Sequence, residues 1–232
     1  MTDRLKRLVP PVAGVVLVGC VVTAFLVMGN SPSAGDSGAK VSAWFEAHHD
    51  RALTAAFFFA YAVAAGLVFY IAMAGYLRQR GSRTLSGLTA AGGIVMVAGF
   101  ASASGLLGAI TDHTSKLGDN TIQTLNQIGS DAPWIAMIVG SAVATLSIGI
   151  ASLQRQAFPK AVSIITVIVG VVQVLGPLSW FGFLATGPLT LLWAGYLYQR
   201  TGQPETITLP DVPEQREAAA ETPTRTRTRT KA

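Results

Sequence analysis

Six predominantly apolar runs punctuate the chain, at Leu8–Met28, Leu53–Leu77, Leu85–Ile110, Trp134–Leu153, Ala161–Ser179 and Phe181–Tyr198, and none holds an Asp, Glu, Lys or Arg. Each is roughly 18–26 residues long, the length at which an α-helix crosses a hydrocarbon core about 30 Å thick. The runs are continuous rather than alternating, so they do not fit the strands of a membrane β-barrel. The pattern predicts an all-α membrane protein: a bundle of six transmembrane helices over residues 1–200, followed by a polar tail at 201–232.

The two longer polar intervals carry weaker helical patterns. Val41, Trp44, Phe45 and His48 recur at i, i+3, i+4 and i+7, which puts them on one face of a short amphipathic helix. Asp36 or Ser37 would cap it, and it would run on into the second span. In the other interval, Asp119 would cap a short helix carrying Ile122, Leu125 and Ile128, and Gly129 would end it. The two apolar faces would then meet as a lid outside the membrane.

Composition sharpens this picture. The chain has 232 residues, 50% of them hydrophobic and only 12% charged, against about 25% charged in a soluble domain. Its single cysteine, Cys20, stands inside the first span and leaves the outer loops without a disulfide. The net charge of +5 reports orientation rather than nucleic-acid binding. Arg4, Lys6, Arg7, Arg78, Arg80, Arg83, Arg155, Lys160 and Arg200 flank the spans on one side. Lys40, Arg51 and Lys116 fall on the other, among six acidic residues. Basic residues favour the cytoplasmic side of short loops, so both termini are expected in the cytoplasm of a bacterial plasma-membrane protein.

Two stretches complicate the count. Ala161–Tyr198 must hold two near-minimal crossings and a turn, expected at Ser179–Gly182 with Trp180 at the outer interface. The first span has a basic start like that of a secretory signal, and Leu17-Val18-Gly19-Cys20 resembles a lipoprotein cleavage box. The apolar run continues past Cys20 to Met28, which favours an uncleaved span.

The inward-ending helices end alike, Ala74-Gly75-Tyr76-Leu77-Arg78-Gln79-Arg80 and Ala194-Gly195-Tyr196-Leu197-Tyr198-Gln199-Arg200. A repeated hairpin explains this, and so does the general demand for an interfacial aromatic followed by a basic stop. Glycines and alanines crowd the third span, which suits close contact inside the bundle or at an oligomer interface. The tail has the composition of a disordered segment. Its Arg225, Arg227, Arg229 and Lys231 could touch anionic lipid, or simply be solvated.

Candidate chemistry is sparse. Charge-free spans lack the carboxylates and basic groups that build proton and ion pathways, and span hydroxyls usually bond within or between helices. Gln173 is the one side-chain amide deep in a span. Pro177 follows it, and Thr186 and Pro188 lie opposite on the last span, so both helices could be broken at similar depth. Broken helices build substrate sites in many carriers. The alternative is a kinked, tightly packed hairpin whose amide bonds a carbonyl freed by proline. Outside the spans, Glu46, His49 and Asp50 share one face of a continuous helix, and His113 of the other loop could join them. Carboxylate-bridged metal sites need two Glu-x-x-His copies and this chain has one, so a solvated cluster is the plainer reading. No catalytic, cofactor or metal motif is visible, which argues against an enzyme.

Ala43-Trp44-Phe45 with His48 and Arg51 running into the second span, the small-residue third span, Leu125 and Gly129, and Phe158-Pro159 opening the last hairpin together carry a resemblance. Over residues 1–200 the chain resembles a group of uncharacterised actinobacterial multi-pass membrane proteins, although it lacks the tryptophan those proteins often carry just after the Phe-Pro pair. The resemblance implies a six-helix membrane domain and no particular activity. Two functions fit: a non-enzymatic component that acts through a membrane-protein partner, a homo-oligomer or membrane organisation, and a facilitative carrier or channel for a neutral or lipid-like molecule.

Overall fold

The computed structural model describes the backbone of residues 3–201 and the side chains of residues 8–200; the tail, with Arg225, Arg227, Arg229 and Lys231, lies outside the described residues. Helices α1 (Asp3–Met28), α2 (Gly38–Ala47), α3 (His49–Gln79), α4 (Arg83–His113), α5 (Asp119–Arg155), α6 (Lys160–Val174) and α7 (Ser179–Thr201) follow one another with short joints, and no strand occurs among the described residues. Four helices are long and apolar enough to cross a membrane: Leu8–Met28 of α1, all of α3 and α5, and α4 extended to Lys116. Helix α6 is a shorter apolar helix. The described fold is all-helical, with four helices suited by length and composition to a membrane.

Helix α1 packs on α3, α3 on α4, α4 on α5, α5 on α6 and α6 on α7, and α7 returns to α1. The helices other than α2 thus close on themselves. Glycines set the tightest joints. A Cβ on Gly92 of α4 would sit 2.6 Å from the Ala144 nitrogen, and one on Gly99 would sit 2.7 Å from the Pro133 carbonyl oxygen. Only hydrogen fits at these positions, so α4 and α5 approach backbone to backbone. Gly149 against Val167, and Gly170 against Leu146, do the same for α5 and α6. The small-residue third span therefore earns its composition inside the bundle, while Gly87, Gly105 and Gly108 face open space.

Hydroxyls tie the helices where apolar packing alone cannot fix register. Ser86 Oγ donates to the Ala74 carbonyl at 2.7 Å and Ser104 Oγ to the Ala56 carbonyl at 2.8 Å, both from α4 to α3. Trp193, fully buried on α7, donates Nε1–H to Thr166 Oγ1 on α6 at 3.3 Å. At the end where α1 starts and α7 stops, Tyr76 and Tyr196 both contact the Phe158 ring, and Arg80 and Arg200 each lie 5.3 Å over the tyrosine four residues earlier. The two matching sequence endings are thus two matching structures astride one phenylalanine.

At the opposite end α2 lies across α5. Val41 and Phe45 of α2 bury against Ala52, Ile110 and Ile122, with Trp44, Leu117 and Leu125 at the edge. The lid expected from the two loop patterns is present, but its second half differs from expectation. Helix α5 runs unbroken from Asp119 to Arg155 through Gly129 and Pro133, roughly 55 Å at 1.5 Å per residue. Gly129 does not end a helix because the Ile122, Asn126, Pro133 and Met137 positions keep helical period and stay buried. That register turns Ile128 outward.

The last hairpin also turns earlier than expected. Helix α6 stops at Val174, Gly176 takes φ +51°, and a single 3-10 turn over Gly176–Leu178 leads into α7 at Ser179. The left-handed backbone that Gly176 tolerates, followed by Pro177, makes this the turn. Ser179–Gly182 instead forms the first turn of α7.

Candidate functional site

Gln173 sits in the last turn of α6 and is 2% exposed. Its Nε2 donates to the Gly182 carbonyl at 3.0 Å and to Thr186 Oγ1, and Thr186 Oγ1 donates to the same carbonyl at 3.1 Å. The approach is possible because Gly182 has no side chain; a Cβ there would sit 2.7 Å from Gln173 Cγ. Gln173 and Thr186 thus come together as the sequence suggested. The helices are not both broken, however. Pro177 stands in the turn, and Pro188 lies within continuous α7. Proline removes the donor four residues after a carbonyl, so Pro188 frees Leu184 and not Gly182. The amide holds a closed hairpin through its donor side. Gln173 Oε1 has no hydrogen-bond partner among the described residues.

The polar cluster near the lid is dispersed by a kink. His48 takes φ −124° and ψ 27° between α2 and α3, so Glu46 does not share one continuous helix face with His49 and Asp50. His49 Nδ1 and Asp50 Oδ1 are 3.2 Å apart on the exposed surface. His113 ends α4. Among the described residues, no three His, Cys, Asp or Glu side chains gather closely enough to hold a metal ion. His48, outside the expected cluster, stacks on Trp44 at 4.7 Å and places Nδ1 2.9 Å from the Trp44 carbonyl.

Two cavities escaped sequence reasoning. The first, of about 110 Å³, is a cleft where α1 meets α7, floored by Tyr70, Met96 and Phe100 from α3 and α4. Buried Leu17, Thr186 and Thr190 line its depth, and Val22 and Leu184, each 50% exposed, form its rim. Tyr70 directs its hydroxyl to Met96 Sδ at 3.8 Å. The second cavity, of about 190 Å³, lies beneath the segment joining α1 to α2. Ser31, Asn126 and Ser130 supply its polar side, and Phe45, Phe59, Leu107 and Trp134 its apolar side. Phe25 lines both. Its ring stacks on Trp134 at 5.7 Å and meets Phe59 edge-on at 5.5 Å. No local motif announces either cavity, because each is assembled from helices distant in sequence.

The segment over the second cavity is pinned by polar contacts. Asn126 Nδ2 donates to the Ser33 carbonyl at 3.1 Å, and the Ser33 N–H donates to Asp36 Oδ2 at 2.8 Å. Lys40 Nζ donates to Asp36 Oδ1 at 2.7 Å. Lys40 and the Ser33 amide hold the Asp36 carboxyl below its ordinary range. Ser37 occupies the N-cap position of α2 without a side-chain cap, so Asp36 does its work through Ser33 and Lys40 instead.

The outer surface is dominated by apolar side chains, among them Val12, Leu26, Phe57, Ile94, Ile135, Ile168 and Leu192. Water does not tolerate so large an apolar face on a monomer, but lipid does. One stretch differs: from Ala98 to Ala109 the exposed face of α4 is Ala98, Ala101, Ser102, Gly105 and Ala109, all small. Comparison of the chain with protein-family models, with curated proteins and with solved structures finds no match.

Proposed function

We propose that this chain is a six-span protein of the bacterial plasma membrane, with both termini cytoplasmic, that acts as a non-enzymatic component by docking a partner helix. The observation that carries this reading is the exposed small-residue face of α4, Ala98–Ser102–Gly105–Ala109. Bulky side chains cover most of the remaining lipid-facing surface. In lipid, helices associate through close packing rather than hydrophobic burial, so small residues mark where a second helix fits. The partner is another membrane protein or a second copy of this chain. Six crossings follow if α6 and α7 each complete one, and the basic residues at the Tyr76 and Tyr196 end support the orientation.

Gentle purification from the native membrane, with co-purifying proteins identified by mass spectrometry, tests this. A stoichiometric partner that is lost in Gly105→Leu supports the reading. A monomer with no partner, unchanged by that substitution, ends it.

A second reading, a facilitative carrier for a neutral or lipid-like molecule, draws support from the α1–α7 cleft rather than from the Gln173 hairpin. Transport assayed in proteoliposomes against empty vesicles is its test.

A further inference from the structure

We infer that the two cavities on either side of Phe25 form one binding site for a neutral amphiphile taken from the bilayer, its chain in the α1–α7 cleft and its uncharged polar head in the chamber beneath the lid. The inference concerns binding and rests on the second reading only for where the molecule goes afterwards.

Four features converge on this occupant. The cleft rim, Val22 and Leu184, belongs to the exposed apolar surface, so an acyl chain can enter sideways from lipid. The cleft is apolar almost throughout, with Tyr70 engaged by Met96 and Thr186 by Gln173 and Gly182. The lid chamber supplies hydroxyl and amide groups from Ser31, Ser130 and Asn126, and among the described residues no ionisable side chain lines it, which suits hydroxyls or esters and disfavours phosphate or carboxylate. Finally, Phe25 is the shared wall. Its ring meets those of Phe59, Trp134 and Trp180, contacts that a rotamer change can release without breaking a hydrogen bond. Apolar-lined pockets with a few placed polar groups are the usual form of small-molecule sites. At 110 Å³ and 190 Å³, neither chamber alone holds a whole lipid, and the two together hold a head and the first part of a chain.

The test uses the full chain in nanodiscs of zwitterionic lipid. The probe is a monoacylglycerol with a photoreactive group on its chain, and lysophosphatidic acid bearing the same chain serves as the charged comparison. Val18→Phe fills the cleft from α1. Gly129→Leu fills the lid chamber, and a Cβ there meets only Leu106 at 3.7 Å, so the helix tolerates it. The expected result is saturable labelling of cleft peptides by the neutral probe and at least fivefold weaker labelling by the acid. Each filling variant should lose labelling at least fivefold while keeping the wild-type elution volume and helical circular dichroism.

Labelling that is unsaturable, that is indifferent to both variants, or that is equal for the acid overturns the inference, as does a co-purified protein helix crosslinked in the cleft. Saturable binding without transport in proteoliposomes ends the carrier reading and leaves this site standing. Transport that persists when binding is lost does the reverse.

Discussion

Gly92 and Gly140 face each other backbone to backbone, each carbonyl oxygen within 2.7 Å of where a Cβ on the other would sit. This reciprocal contact sets the distance between α4 and α5, the most extensive helix pair in the bundle. Gly92→Val and Gly140→Val should each destabilise the protein by roughly 1–3 kcal/mol, the usual cost of overpacking a fitted interior. Gly87→Val is the control, because a Cβ there meets nothing within 4 Å. Thermal unfolding in mild detergent, followed by loss of the monodisperse peak, gives the comparison. Equal midpoints for Gly140→Val and Gly87→Val would remove the argument.

The hairpin of α6 and α7 depends on a different economy. Gln173 contributes two donated bonds, while the Gly182 carbonyl it contacts is also bonded by Thr186. Gln173→Leu should therefore cost only about 0.5–1.5 kcal/mol, within the range of interhelical hydrogen bonds in membranes. Gly182→Val pushes a side chain into Gln173 itself and should cost more than Gln173→Leu. Unfolding midpoints of the two variants decide it. A larger loss in Gln173→Leu would mean that the amide, with its unpartnered Oε1, has a role beyond closing the hairpin.

Hydrophobic period and length were enough to read the four long apolar helices, since burial on one side and an apolar outer face on the other leave few alternatives for runs such as Leu53–Leu77. The lid was also legible, because Val41, Trp44, Phe45 and His48 repeat at helical spacing. Its partner was misjudged for a physical reason. Gly129 reads as a helix end in water, yet a long helix whose neighbours cover it tolerates it, and α5 continues through it and Pro133. The hairpin turn shifted from Ser179–Gly182 to Gly176–Leu178 because backbone conformation at Gly176 outweighs the pull of Trp180 toward an interface. The cavities were out of reach, since Phe25, Tyr70, Phe100, Asn126 and Thr186 meet only after the helices close.

Acid should loosen the lid strap through Asp36. Lys40 and the Ser33 N–H favour the ionised carboxylate, so its folded pKa is lowered. A group with a depressed folded pKa stabilises above its unfolded value, about 4, and loses that contribution as pH falls through the folded one. Hydrogen exchange of the Ser33 amide should therefore accelerate below about pH 4 beyond the intrinsic rate. Asp36→Asn should show faster exchange already at neutral pH and no added acid response. Exchange in the wild type that follows the intrinsic rate throughout would dismiss Asp36 as the strap's anchor.

Arg51 closes the end of α1 from a distance. Its Nε donates to the Val27 carbonyl at 3.2 Å, one of the last carbonyls of a helix that stops where Gly29 takes φ +56°. Such carbonyls have no donor within their own helix, and a cation beside them also meets the negative end of the helix dipole. Arg51→Gln keeps polarity but removes the charge, and should cost roughly 0.3–1 kcal/mol. The effect should be local: faster amide exchange in the last turn of α1 and in the strap that follows, with α6 and α7 unchanged. Because Phe25 and Met28 line the lid chamber from this same turn, the variant should also raise accessibility of a cysteine placed at Ser31. Raising the salt concentration should bring wild type and Arg51→Gln closer together, since the dipole contribution of an exposed cation is screened. Identical exchange in the two proteins at low salt would show that the contact with Val27 holds nothing in place.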